Sequence, residues 1–85
     1  MDSRQLLRRL LSGRLRNVAF ADFERLALAM GFRQLRLRGS HRIYVHPAVE
    51  ELLNLQSVRG EAKPYQIRQF LNLVERYDLV LEDDT

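Results

Sequence analysis

The chain has 85 residues and no cysteine, and it is 46% hydrophobic and 29% charged. Such a composition fits one small globular domain with a single core, and it excludes a disulfide scaffold, a thiolate metal site and a disordered chain. Its apolar runs are only a few residues long and the basic amino terminus lacks an apolar h-region, so no membrane partner and no secretory signal are expected and a cytoplasmic location follows. Charge is uneven: up to residue 46 ten arginines face three acids, a net of +7, while the remainder carries −4. A basic half suits an anionic partner, nucleic acid above all, and equally a solvated surface. Thirteen of the fourteen basic residues are arginine, the side chain that forks onto phosphate or carboxylate.

The stretch "SRQLLRRLLSG" predicts an amphipathic helix over about residues 3–12. Leu6, Leu7, Leu10 and Leu11 fall on one stripe, Ser3 can cap its start and Gly13 can end it. "RLRN" links it to a second helix, about residues 20–30, with Phe20, Phe23, Ala27 and Met30 on one face and Gly31 in the position after its end. Strand signals follow at residues 32–37, 42–46 and 52–56. Pro47 closes the second strand, because it cannot donate to a ladder. "GEAKP" breaks the chain again, and Pro64 opens a last helix over about 64–77, with Ile67, Phe70, Leu71 and Val74 at helical spacing. Leu79 and Leu81 are expected to dock, and the acidic end beyond them to fray. The order predicts an α+β fold, in which a three-stranded antiparallel sheet is packed by helices, as a single domain over residues 1–85.

"RLRGSHRIYVHP" reads as a hairpin, and parity offers two registers. A two-residue loop, Gly39-Ser40, sets Leu37 opposite Arg42 and Leu35 opposite Tyr44. A three-residue loop of Arg38, Gly39 and Ser40 pairs Leu37 with His41, Leu35 with Ile43 and Arg33 with Val45. Burial of one apolar face favours the three-residue loop, with Leu35, Leu37, Ile43 and Val45 inward. His41 then stands at the rim of the core face. There it suits a titrating group, and equally a ring that only hydrogen-bonds a backbone carbonyl. Gln34, Arg36, Arg42, Tyr44, Asn54 and Gln56 form the opposite, polar face, open to RNA, a protein or solvent. His46 lies five strand residues from His41, about 16 Å away and on the other face, which rules out a shared acid–base pair or metal site. It is expected at a strand end, on the surface.

"GFRQLRLRGSHRIYVHP" followed by "LLNLQSVRGEAKPYQIRQFLNLVERYDL" resembles the HicA family of type II toxins, small RNA endonucleases (mRNA interferases) restrained by HicB-type antitoxins. The resemblance rests on an ordered set: a helix ending in Gly-Phe, a strand, Gly-Ser-His, a strand ending near His-Pro, a third strand, and a helix entered through a Lys/Pro-containing turn. It covers a core of residues 17–79, leaving residues 1–16 as an additional amino-terminal helix and link and residues 80–85 as an acidic tail. It implies a fold like the double-stranded RNA-binding domain, His41 as the catalytic histidine, mRNA as substrate, a HicB-type antitoxin as partner, and no cofactor or metal. Many members have a second histidine where this chain has Arg42.

The chemistry implied is attack by the RNA's own 2′-hydroxyl on the adjacent phosphorus. It wants a base, an acid and positive charge around the phosphate. An imidazole with a reference pKa of about 6.5 can fill either proton role, though not both at once. Backbone amides of Gly39 and Ser40 are a candidate anion nest, and Arg38, Arg42, Arg59 and Lys63 are candidate phosphate contacts or solvated charges. A noncatalytic RNA-binding module and a pure protein-interaction domain share the same surface features.

Overall fold

The computed structural model describes residues 1–82. It is an α+β fold with helices α1 (Ser3–Leu11), α2 (Phe20–Ala29) and α3 (Pro64–Arg76). Strands β2 (Arg33–Arg38), β3 (His41–His46) and β4 (Val49–Gln56) form an antiparallel sheet in the order β2-β3-β4, and the two-residue strands β1 (Val18–Ala19) and β5 (Glu61–Ala62) pair separately. The expected fraying of the acidic end concerns residues 83–85, which lie outside the described residues. Among the described residues no helix is long and apolar enough to cross a membrane.

Each helix ends as its sequence dictates. All three close in a Schellman motif, in which the two residues after the cap return their amides to the last turn. In α2, Gly31 donates to Leu28 and Phe32 to Ala27, at 3.1 Å each. In α3 the position after the cap is Asp78, with a positive φ of 54°. One cap differs from expectation. Asp2, not Ser3, caps α1, its carboxylate accepting from the Arg4 amide at 2.8 Å. At the start of α2 no side chain caps, and the Phe20 amide instead donates to the Gly60 carbonyl at 2.8 Å. The turn after β4 thus serves the helix.

The core lies between the helices and one face of the sheet. Phe23, Phe32 and Phe70 meet there, with Phe23 and Phe70 edge to face at 5.2 Å between ring centres. Leu6 and Leu10 of α1 and Leu81 belong to the same buried cluster, so the amino-terminal helix is part of the core and not an appendage to it. Leu79 packs against that cluster as expected. At the far end, Glu51 of β4 accepts from both Arg76 and Tyr77, fastening the end of α3 to the sheet.

The hairpin register departs from expectation. Arg38 pairs with His41, Leu37 with Arg42, Arg36 with Ile43 and Arg33 with Val45, with a bulge at Leu35. The loop is therefore the two-residue Gly39-Ser40, with Gly39 at φ 60° as a type II′ turn requires of its first central residue. The helix-facing residues of β3 are Arg42, Tyr44 and His46, opposite Leu55 (Arg42) and Leu53 (Tyr44) of β4. Tyr44 is completely buried, while Leu35 and Leu37 are 53% and 60% exposed. The inward place expected for Leu35 and Leu37 is taken by Tyr44, whose hydroxyl finds a partner in Glu24.

Burying Tyr44 requires a partner for its hydroxyl. It donates to Glu24 of α2, which also accepts from Arg42 at 2.9 Å. The Arg42 guanidinium lies 5.0 Å over the Phe20 ring. Burial, and then the Glu24 carboxylate, push the Tyr44 hydroxyl up from 10.0 to about 12. The unfolded chain gives up this proton near pH 10 while the fold retains it, so the stabilisation is full below pH 10 and is lost as pH rises toward 12. Thermal unfolding followed from pH 8 to 12 should show the fall between 10 and 12 in the wild type, and a shallower one in Tyr44→Phe.

His46 is not a free surface residue. Its ring is half-buried, edge to face with Phe32 at 5.0 Å. Nδ1 accepts from the Ala48 amide and Nε2 donates to the Met30 carbonyl, both at 3.0 Å. The ring thereby ties the β3–β4 turn to the end of α2. Gly31 sits directly beneath it: its φ is 103°, and a Cβ there would lie 2.7 Å from His46 Nε2. Gly31→Ala should cost at least about 1 kcal/mol from backbone strain alone. In a double-mutant cycle read by denaturant unfolding, prior His46→Ala should relieve the cost by at least about 0.5 kcal/mol.

Candidate active site

Because Arg42, Tyr44 and His46 face the helices, alternation turns His41 and Ile43 to the other side of the sheet. That side carries Arg36 and Asn54 opposite Ile43, and Arg38 and Gln56 opposite His41. His41, Arg36, Arg38 and Asn54 are all exposed. His41 therefore lies on the open face, not at the rim of the core. Ile43, outside the main buried cluster, is 7% exposed among these longer neighbours.

His41 is held by a neighbour that the sequence reading placed on the opposite face from it. Asn54 is its diagonal neighbour on β4, and Nδ1 of the ring meets Asn54 Oδ1 at 3.0 Å. An amide oxygen only accepts, so Nδ1 is the donor, and in the neutral ring the lone pair then lies on Nε2. The ring is oriented and fixed in the tautomer of a base, and Nε2 is the nitrogen that no hydrogen bond to the described protein occupies. Beside it the turn is braced as well, since Gln56 Nε2 donates to Ser40 Oγ at 2.9 Å.

The other predicted residues divide into two groups. Arg38, Gly39 and Ser40 adjoin His41 directly. Arg59 lies three residues beyond Gln56, in a tight turn where it and Gly60 have φ of 54° and 80° and Val58 bridges Glu61. Lys63 precedes α3, whose Gln66 Oε1 accepts from the Gln56 amide at 3.4 Å. Arg59 and Lys63 thus belong to the same end of the sheet as His41. Arg42 does not join them. It points to the helix side, ion-paired with Glu24, and that carboxylate raises its pKa above the ordinary arginine value.

Among the described residues Arg36, Arg38, Arg59 and Lys63 form no ion pair, whereas Arg33, Arg42 and Arg76 each do. Arg36 was not singled out by sequence. Only the two-residue loop, which puts it opposite Ile43, reveals that it shares His41's face. The site is thus an oriented histidine on an exposed sheet face, with Arg38 as its strand partner and Arg36 on the same face. His46, on the other face, takes no part in it.

The fold and site together define a small α+β protein presenting one amide-held imidazole on a basic, helix-free surface. No family model, curated protein or solved structure matches the chain.

The tautomer can be tested without any substrate. In ¹⁵N-labelled protein above the histidine titration range, His41 should show protonated Nδ1 and unprotonated Nε2. In Asn54→Leu the two tautomers should mix, with His46 unchanged as the internal control. An unaltered His41 pattern in the variant would contradict the assigned role of Asn54.

Proposed function

We propose that the protein is a metal-independent RNA endonuclease in which His41 is the catalytic base, acting as the toxin of a type II pair restrained by a HicB-type antitoxin. The observation that carries the catalytic part is the 3.0 Å contact from His41 Nδ1 to Asn54 on an exposed face, with Arg38 directly across from the ring. The pairing with an antitoxin, the mRNA substrate and the kinship of the fold to double-stranded RNA-binding domains come from the resemblance to HicA toxins.

In the proposed reaction His41 Nε2 takes the proton of a ribose 2′-hydroxyl. The 2′-oxygen bonds to the adjacent phosphorus, the bond from phosphorus to the 5′-oxygen breaks, and water protonates the leaving oxygen. The products are a 2′,3′-cyclic phosphate and a 5′-hydroxyl. The nucleophile belongs to the substrate, so the step asks the protein for a base, positive charge and alignment, and for no metal. Arg38 and Arg36 supply charge where it develops on the phosphate oxygens. Arg59 and Lys63 hold flanking phosphates, and the amides of Gly39 and Ser40 stand close to the ring. Arg42 acts from below, fixing the hairpin through Glu24.

Purified protein incubated with end-labelled single-stranded RNA tests the reading. Cleavage with cyclic-phosphate ends is expected, insensitive to chelators, and reduced about 10²–10⁴-fold in His41→Ala. His41→Ala should still retain RNA, because affinity lies mainly in arginine–phosphate contacts. Retention without cleavage by the wild type would instead identify a noncatalytic RNA-binding module. Full cleavage by a folded His41→Ala protein would remove His41 from the mechanism.

A further inference from the structure

We propose that the outer edge of β2 is a docking surface for an extended, acidic segment of a partner protein, which would add a fourth strand to the sheet. The strand order β2-β3-β4 leaves that edge without a neighbour, and all six residues of Arg33–Arg38 are exposed. An edge strand presents a row of unpaired amides and carbonyls, a template for another chain. This one also presents two large apolar side chains, Leu35 at 53% and Leu37 at 60% exposed.

Charge selects the occupant. Arg36 and Arg38 form no ion pair among the described residues, and Arg33 at the start of the strand already takes a carboxylate, Glu82, at 3.3 Å. A second copy of this strand is a poor occupant, because RQLRLR holds three arginines and no carboxylate to meet Arg36 and Arg38. Antiparallel self-pairing centred on Arg36 sets arginine against arginine, and centring it between Leu35 and Arg36 sets Arg33 against Arg38. Like charges directly opposite destabilise a sheet. Arginine-rich edges resist self-association in this way while remaining open to a strand of opposite sign. RNA satisfies the arginines but offers nothing strand-like to the backbone edge. A segment alternating acidic and apolar residues satisfies both sets. With a period of two, a register that brings acids beside Arg36 and Arg38 brings apolar groups beside Leu37. This surface does not depend on the catalytic reading.

The full ¹⁵N-labelled chain is titrated with a blocked nonapeptide of alternating glutamate and valine. Controls are the same peptide with lysine in place of glutamate, and an oligouridylate. The expected result is slowed amide exchange confined to residues 33–38, by about tenfold when the peptide stands at about ten times its dissociation constant. Leu37→Asp combined with Arg36→Glu should abolish the protection while leaving the spectrum of the core unchanged. A second variant, Arg38→Glu alone, should weaken it and so serves if the first fails to fold. The proposal is overturned if millimolar glutamate peptide protects none of residues 33–38, or if the lysine peptide protects them equally. It is also overturned if those amides are protected by protein concentration alone, or only by the oligouridylate.

Discussion

Which face of β3 points inward is decided by Tyr44. It is the largest of the completely buried side chains, and a phenol can be buried only if its hydroxyl finds a partner. Glu24 supplies that partner from α2, and Arg42, one step along the same face of β3, balances the carboxylate while lying over Phe20. Successive side chains of a strand point to opposite faces, so fixing Tyr44 inward fixes its neighbours outward. The Gly39-Ser40 turn, whose glycine has the positive φ of a type II′ loop, is compatible with this register alone. His41 reaches the open surface as a consequence of a tyrosine three residues away.

The two ends of the sheet differ in how their charges are used. At the β3–β4 turn end, Glu51 holds Arg76 and Tyr77, and Glu82 holds Arg33. Those charges join parts of the fold to one another. At the β2–β3 turn end, Arg36, Arg38, Arg59 and Lys63 stand without ion pairs among the described residues. Clustered like charges repel and give nothing to folding. Arg38 and Arg42, neighbours of one hairpin, differ in the same way: Arg42 is ion-paired with Glu24 on the helix side, and Arg38 forms no ion pair among the described residues.

The helices were legible in the sequence because their apolar spacing and their stop signals agree. Gly13, Gly31 and Pro64 stand where the chain enters or leaves a helix, and Ile67 and Phe70 are buried as their period requires. The three-stranded sheet was also legible, as was the opposition of His41 and His46. Strands of two residues, such as Val18–Ala19 and Glu61–Ala62, carry no periodicity to detect. The hairpin register was misjudged because Leu35 and Leu37 look like core, and a bulge at Leu35 breaks the parity on which the argument relied. That error concealed Asn54 and Arg36, whose nearness to His41 exists only in the true register. The turn chemistry of Gly-Ser was the better guide, since glycine at the first central position favours the two-residue loop directly.

The inward Tyr44 and the two-residue loop together set His41 on the open face. Cross-strand contacts between α-protons in solution read that register most directly. The structure predicts a close contact between the α-protons of Leu37 and Arg42, the first pair beyond the Arg38–His41 pair that closes the two-residue turn. Contacts pairing Leu37 with His41 and Leu35 with Ile43 would place Tyr44 outside, return His41 to the core face, and contradict the site described.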